Sequence, residues 1–364
     1  MRGIISLLPA CATALTFFAA SDTHFGHDVG NATSFEKNTW AIREMNALPR
    51  NGTWPASLGG GPVGEPFGVT VSGDLLDGGV NPSSDPDGCA QWANFTALYG
   101  FDGTDGLLRY PVYEGRGNHD GGNSTLPDPR GCAGHVSTNI IARNKRRAAD
   151  ARFAIDGVSS PTGLHYSWTV NVSAACRLHF VHLNLFPGFT CGSKSNPTGE
   201  GPAGGSITCK GGDIAWPENS LGFLQDDLAK HASGPGVLAV TIQHYGFDGF
   251  SNGWYNEDQR TDMFATLVQY NSVLALVGHT HSAGMYSFNG TKQGPWASNA
   301  TGFVDVVNAP ATQKEDGKHN ALPSEFMAIE VALDAGSESA GTLRVAQRVG
   351  SAWGEVLGSK RFAC

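Results

Sequence analysis

Five short groups of carboxylate, amide and imidazole residues punctuate this sequence: Asp22-Thr23-His24, Gly73-Asp74-Leu75-Leu76-Asp77, Gly117-Asn118-His119-Asp120, Gln243-His244-Tyr245 and Gly278-His279-Thr280-His281. Their side chains are the hard and borderline donors that suit first-row divalent metals. Residues at i and i+2 of an extended segment leave the backbone on one side. Asp22 with His24, and His279 with His281, can therefore each point into one site. Divalent metals held in pairs lower the pKa of a water and clamp the attacking and leaving oxygens of a displacement. Hydrolyses that are very slow unassisted, such as those of phosphate esters, need both effects.

Each group follows an apolar, β-rich run, which predicts strands that deliver turns to a common place. Leu15-Thr16-Phe17-Phe18-Ala19-Ala20 precedes Asp22, and Phe67-Gly68-Val69-Thr70-Val71 precedes Gly73. Tyr110-Pro111-Val112-Tyr113-Glu114 leads to Gly117, residues 237–242 lead to His244, and Val273-Leu274-Ala275-Leu276-Val277 leads to Gly278. Helical spacing covers residues 28–48, where Phe35, Trp40, Ile42, Met45 and Leu48 read as a core stripe that Pro49 stops. Further helices are predicted over 90–99, 136–149, 219–231 (capped by Asn219 or Ser220) and 257–270. Residues 164–172 and 177–186 read as a strand pair, and the passage from 237 to 277 as a βαβ unit. Short strands follow near 284–288, 302–307 and 326–333, with a hairpin across 342–356. Arg143, Lys145, Arg146 and Arg147 read as a solvated face near a helix C-terminus, where cations offset the macrodipole, in preference to a phosphate-attracting patch.

Taken in order, these DxH, GDxxD, GNHD, lone-His and GHxH motifs resemble those of the calcineurin-like metallophosphoesterases, across residues 15 to about 310. The resemblance implies an α/β fold of two mixed β-sheets packed as a sandwich and flanked by helices. It also implies two divalent ions, Zn, Mn or Fe, with Asp22, His24 and His281 on the first, Asn118, His244 and His279 on the second, and Asp74 bridging. A metal-bridging hydroxide would attack a phosphate ester, His119 would act as general acid, Asp120 would orient it, and Asp77 would support the ligands from behind. The purple acid phosphatase branch carries DxG and GDxxY; His24 and Asp77 stand in those places here, which argues against an iron–tyrosinate centre. Arg116 reads equally as a contact to substrate phosphate or as a packing residue. His27, His135, His165, His179, His182, His231 and His319 read as packing or surface histidines. The rival reading is a noncatalytic secreted metal-binding glycoprotein that retains the scaffold, which the intact His119 disfavours.

The motifs run from residue 22 to 281, so one site must draw on nearly the whole chain of 364 residues. That predicts a single catalytic domain over 15–364, with a C-terminal β-rich extension, after a signal segment at 1–14. Cleavage is expected near Ala12 or Ala14, because the strand that holds Asp22 must survive. With 33 Asp+Glu against 24 Lys+Arg and a formal charge of -9, general nucleic-acid binding is disfavoured. A small phosphate ester stays compatible, since bound cations reverse the field locally. Seven Asn-x-Ser/Thr triplets, at Asn31, Asn51, Asn94, Asn123, Asn171, Asn289 and Asn299, predict a glycoprotein. Beyond Cys11 the six cysteines form an even set, read as Cys89–Cys132, Cys191–Cys209 and Cys176–Cys364. The expected location is secreted or vacuolar/lysosomal, with no membrane span. Oligomeric state and the choice between monoester and diester are left open; the loops 49–66, 121–135 and 191–215 would set the substrate.

Overall fold

The computed structural model describes residues 14–28, 32–77, 89–121, 136–159, 162–188, 198–200, 206–208, 218–248, 251, 257–296, 302–312 and 324–364. Its strands are β1 (Ala14–Ala20), β2 (Pro66–Val71), β3 (Val112–Glu114), β4 (Ile155–Val158), β5 (Tyr166–Asn171), β6 (Arg177–His182), β7 (Thr198–Glu200), β8 (Ser206–Thr208), β9 (Val237–Ile242), β10 (Ser272–Val277), β11 (Gly284–Phe288), β12 (Gln293–Gly294), β13 (Val304–Asn308), β14 (Glu325–Leu333), β15 (Ala340–Val349) and β16 (Ala352–Ala363). The helices are α1 (Ser34–Asn51), α2 (Cys89–Tyr99), α3 (Val136–Ala148), α4 (Ser220–His231) and α5 (Glu257–Gln269).

Six strands form one sheet in the order β16-β15-β14-β1-β2-β3, and eight form a second, β12-β11-β13-β10-β9-β6-β5-β4. β1 shows why the apolar runs do not alternate. Phe17 is buried between the sheets, while Phe18 is buried under the helices of the first sheet. Successive strand side chains take opposite faces, so a strand covered on both sides is apolar nearly throughout; the one polar residue of β1, Thr16, is buried with its hydroxyl donating to Glu330 Oε2 (3.2 Å). Ile42 and Met45 of α1, Phe95 and Leu98 of α2 and Ile140 of α3 complete that outer layer. Leu221, Leu224 and Leu228 of α4 and Met263 and Leu267 of α5 do the same for the second sheet. The α/β sandwich of two mixed sheets expected from sequence is the architecture found.

β1, β2 and β3 run parallel, as do β6, β9, β10 and β13. Parallel neighbours end at one edge, so the turns after β1, β2, β3, β9 and β10 emerge together. The C-terminal strands are not appended to this frame: β14 pairs antiparallel with β1 from Ala14↔Ala332 to Ala19↔Met327 and so completes the middle of the first sheet. Cys176, beside the β5–β6 hairpin, is disulfide-bonded to Cys364 after β16, 188 positions away, which ties the two sheets together. Cys89 is disulfide-bonded too. Cys132, Cys191 and Cys209 lie outside the described residues, as do Asn31, Asn123, Asn299, His135, His319 and residues 1–13 of the expected signal segment. Ala14, its last residue, already belongs to β1.

Several local features differ from the sequence reading. α1 starts at Ser34, because Thr33 caps it: the Glu36 N–H donates to Thr33 Oγ1 (3.2 Å) and the Thr33 N–H to Glu36 Oε2 (2.8 Å). Pro49 lies inside the last turn without ending it, and the Gly52 N–H closes the helix on the Leu48 carbonyl. Phe35 and Trp40 are 39% and 48% exposed, so the buried stripe narrows to Ala41, Ile42, Met45 and Leu48. Asn219 occupies the N-cap of α4 in a left-handed conformation and makes no side-chain cap bond. The basic face of α3 is not simply solvated. Arg147 is fully buried, donating to Glu114, to the Val112 carbonyl (2.8 Å) and to Asn144 Oδ1 (2.8 Å), and Arg143 Nε donates to Glu114 Oε1 (2.7 Å). Arg146, by contrast, is exposed and faces Asp102 and Asp105.

Candidate metal centre

The turn after β1 is zipped to the turn after β2. Asp22 N–H donates to the Gly73 carbonyl (3.0 Å), His24 N–H to Asp74 O (3.0 Å), and Phe25 N–H to Leu75 O (3.1 Å). Asp22 Oδ2 accepts the His279 N–H (3.0 Å), which draws in the turn after β10. Asp74 Oδ1 accepts the His119 N–H (2.8 Å), which draws in the turn after β3. His244 completes the ring: its N–H groups with the Asn184 and Leu185 carbonyls, and its Nδ1–H donates to the Ser72 carbonyl (3.2 Å). That last bond leaves Nε2 as the lone pair directed inward.

Glycine makes this convergence possible. A Cβ on Gly117 would lie 2.1 Å from Asp74 Oδ1 and 2.3 Å from Asp74 N, and one on Gly278 would lie 1.8 Å from Ser21 Oγ. The paired donors are aimed differently from the sequence expectation. Asp22, His24, Asp74, His279 and His281 have φ of +50°, +39°, +49°, +70° and +57°, so left-handed turns and not a pleated strand set their directions. Each such turn costs a non-glycine residue about 1–2 kcal/mol, and strain of this kind gathers where function over-determines the backbone.

Two clusters share Asp74, and a third group, His24, Asp77 and His119, adjoins them. In the first, His281 Nε2 lies 3.2 Å from His24 Nε2 and 3.3 Å from Asp22 Oδ1, with Asp74 Oδ2 3.7 Å from His24 Nε2. In the second, His244 Nε2 lies 3.1 Å from Asp74 Oδ2 and 3.0 Å from Asn118 Oδ1, and His279 joins Asp74 and His244 with ligand atoms within 4.8 Å of one another. Asp74 belongs to both. The seven positions singled out from sequence therefore meet, and the buried oxygens Asp22 Oδ1 and Asp74 Oδ2 accept no hydrogen bond. A carboxylate oxygen taken from water without a donor is costly unless a cation is its partner. The donor set, oxygen and imidazole nitrogen with one shared carboxylate, fits two divalent ions.

The electrostatics agree. Burial opposes charge on Asp22 and Asp74, yet the histidines around them (His24 and His281 for Asp22, His244 and His24 for Asp74) hold both carboxyls below the ordinary range. Burial likewise opposes a proton on His24, yet Asp22 and Asp77 raise it to about 10. A pocket that forces a proton onto a buried imidazole is one that demands positive charge, which a bound cation supplies in its place. Burial, with His244 beside it, pushes His279 down to about 3, keeping it neutral as a ligand must be.

Around the clusters the structure reassigns two acids. Asp120 does not meet the His119 ring: its Oδ2 accepts the N–H groups of Leu75 (3.0 Å) and Gly117 (2.8 Å), and its Oδ1 accepts that of Leu76 (2.9 Å). It braces two turns against each other, and burial, then the charge on Asp74, raise its pKa to about 7. Asp77 is the carboxylate that faces His119, with Oδ1 3.6 Å from Nδ1, and it also lies 3.5 Å from His24 Nδ1 and 3.7 Å from His27. Arg116 is buried, with Nη1 donating to Ser137 Oγ (2.9 Å), which gives it a packing role. His165, His179 and His182 are buried and hydrogen-bonded within the fold. Asn184, which sequence reading placed inside a strand, is instead a left-handed junction (φ +63°). Its carbonyl takes His244 N–H and its Oδ1 takes Arg116 N–H (2.8 Å). An asparagine two residues past the end of a strand was the available signal.

The family model for calcineurin-like phosphoesterases matches residues 15–283. The chain belongs to this family. No curated protein matches the sequence. Among solved structures, a dimetal phosphatase from Danio rerio superposes with a TM-score of 0.51 at 12% identity, over 96% of this chain and 98% of that one. GAP50, described as the anchor in the inner membrane complex of Plasmodium, superposes with a TM-score of 0.50 at 14% identity, over 96% and 89%. At these identities the likeness is one of fold. Within this calcineurin-like phosphoesterase, both ligand clusters and His119 fall inside the matched span.

Proposed function

We propose that this calcineurin-like phosphoesterase is a dinuclear metal-dependent hydrolase of small phosphate esters, with His119 as its general acid. The observation that carries the reading is the pair of clusters joined through Asp74, with the His119 imidazole beside them, grouped with His24 and Asp77. Asp22, His24, Asp74 and His281 would hold one ion and Asp74, Asn118, His244 and His279 the other. Bound there, a pair of Zn, Mn or Fe ions lowers the pKa of water and neutralises charge on a transferring phosphoryl group.

The protein's own residues do the rest. Asp77 Oδ1 lies 3.6 Å from His119 Nδ1 and acts as a nearby negative charge that favours the protonated ring, which can present a proton to the leaving oxygen. Burial lowers the pKa of His119, and Asp74 and Asp77 raise it in opposition, so a negatively charged ester adds to the acids that favour protonation. Half-exposed His281 and His27 mark the side from which substrate enters. Asp120 acts by holding the Asp74 and Asn118 turns in register.

The location proposed is secreted or vacuolar/lysosomal. It is supported by the Cys176–Cys364 disulfide and by the exposure of the sequon residues Asn51, Asn94 and Asn171, with Asn289 partly exposed. The test is hydrolysis of p-nitrophenyl phosphate and bis-p-nitrophenyl phosphate with added Zn, Mn or Fe(II), against Asp74→Asn. Turnover of one ester that Asp74→Asn abolishes supports the proposal. Failure of both esters, with metal bound, leaves the noncatalytic metal-binding glycoprotein as the reading.

A further inference from the structure

Thirteen arginines fall among the described residues, and four of them, Arg43, Arg50, Arg109 and Arg177, make neither an ion pair nor a side-chain hydrogen bond. Three of those four line one groove of about 510 Å³. Arg43 and Arg50 are seven positions apart on α1, two helical turns, and so project from one face. Arg109 comes from the segment before β3, which Asn46 staples to α1: its Nδ2 donates to Leu107 O (2.9 Å) and its Oδ1 accepts the Arg109 N–H (3.0 Å). The spacing of the three cations is thus set by a hydrogen-bonded frame.

All three are exposed, and none forms an ion pair with an acid among the described residues. The adjacent Tyr110 hydroxyl donates to Glu65 (2.8 Å). Like charges gathered on one wall repel, more conspicuously so in a chain whose net charge is -9. An arginine fork matches a phosphate oxygen pair, and the groove's volume falls in the range of small-ligand sites. The groove is also distinct from the metal centre. Arg109 precedes β3 and Arg50 ends α1, whereas the ligand turns follow β1, β2 and β3, so the two sites lie at opposite edges of the sheet. The six residues of β2 span about 20 Å between those two edges.

We propose that this groove is a second, non-catalytic binding site for a small solute carrying two or more phosphate groups. The groove wall also holds the sequon residue Asn51, so the probes, tripolyphosphate, pyrophosphate and ADP, are titrated calorimetrically into the full chain without a glycan at that position. The variants are Asp74→Asn, the triple Arg43→Gln/Arg50→Gln/Arg109→Gln, and Arg177→Gln, which removes the fourth unpaired arginine, on β6 in the other sheet. Expected is a tripolyphosphate site that persists in Asp74→Asn and in Arg177→Gln and weakens on the order of tenfold or more in the triple variant, separate from any binding at the metal centre, which Asp74→Asn removes. ADP binding tighter than pyrophosphate would assign a nucleoside to the ligand; equal binding would assign the phosphates alone. The proposal is overturned if no saturable binding occurs at millimolar probe, if Asp74→Asn abolishes it, or if Arg177→Gln weakens it as much as the triple variant does. Unchanged circular dichroism of the triple variant separates lost binding from lost folding.

Discussion

Replacing Gly117 with alanine tests the convergence of the turns most directly. The added methyl would sit 2.1 Å from Asp74 Oδ1 and 2.3 Å from Asp74 N, and the second of these is backbone. Real carbon contacts stay beyond about 3.0 Å, so the Asp74 and Asn118 turns must separate by roughly 0.9 Å. That displacement lengthens the 2.8 Å bond from His119 N–H to Asp74 Oδ1 and pulls Asn118 away from the atom that both clusters share. A misplacement near 1 Å costs on the order of 100-fold in rate, whereas overpacking by one methyl destabilises by about 1–3 kcal/mol. Gly117→Ala is therefore expected to remain folded, with kcat/KM on an activated phosphate ester down about 100-fold and metal content reduced. Turnover, thermal melting and metal analysis by mass spectrometry on the same preparation measure all three. Full activity with a full metal complement would refute the claim that the two turns touch.

Other residues make further predictions. Glu114→Gln leaves the fully buried Arg147 without its counter-charge and is expected to cost about 3–5 kcal/mol in urea denaturation, while Glu114→Gln with Arg147→Met recovers part of the loss. His179 is opposed by burial yet held above its ordinary pKa by Asp156 and Asp227, with His231 stacked on its ring. Its contribution is thus complete below about pH 6.5 and fades as pH rises through the higher folded value. The melting-temperature gap between the protein and His179→Asn should be widest in acid and close with rising pH; a pH-independent gap contradicts this. Cys176→Ser opens a link across 188 residues and should cost about 5 kcal/mol by loop entropy, with no direct effect on metal binding.

Metal chemistry admits few residue types, and each needs a turn at a strand's end, so the DxH, GDxxD, GNHD and GHxH groups were legible as a set. Strand runs were legible as well, because Leu15 to Ala20 must be largely apolar on both faces if sheets and helices cover it. What the side chains do once there was less legible. Asp120 adjoins His119 in the chain, and adjacency suggests partnership, yet only the folded path shows its oxygens taken by three backbone N–H groups, with Asp77 facing the imidazole instead. Arg147 looked like its neighbour Arg146 in sequence; a buried Glu114 on another element separates their fates.

Read alone, then, the amino-acid order determined the chemistry on offer: which atoms can bind metal, and that strands must carry them to one edge. Tertiary structure decided the assignments. Left-handed turns set where each donor points, glycines at 117 and 278 set how closely the turns approach, and long-range burial set which carboxylate meets which partner. Residue type and short-range spacing are local properties and can be read along a line. Burial and electrostatic environment are sums over neighbours that come close only when the chain has folded.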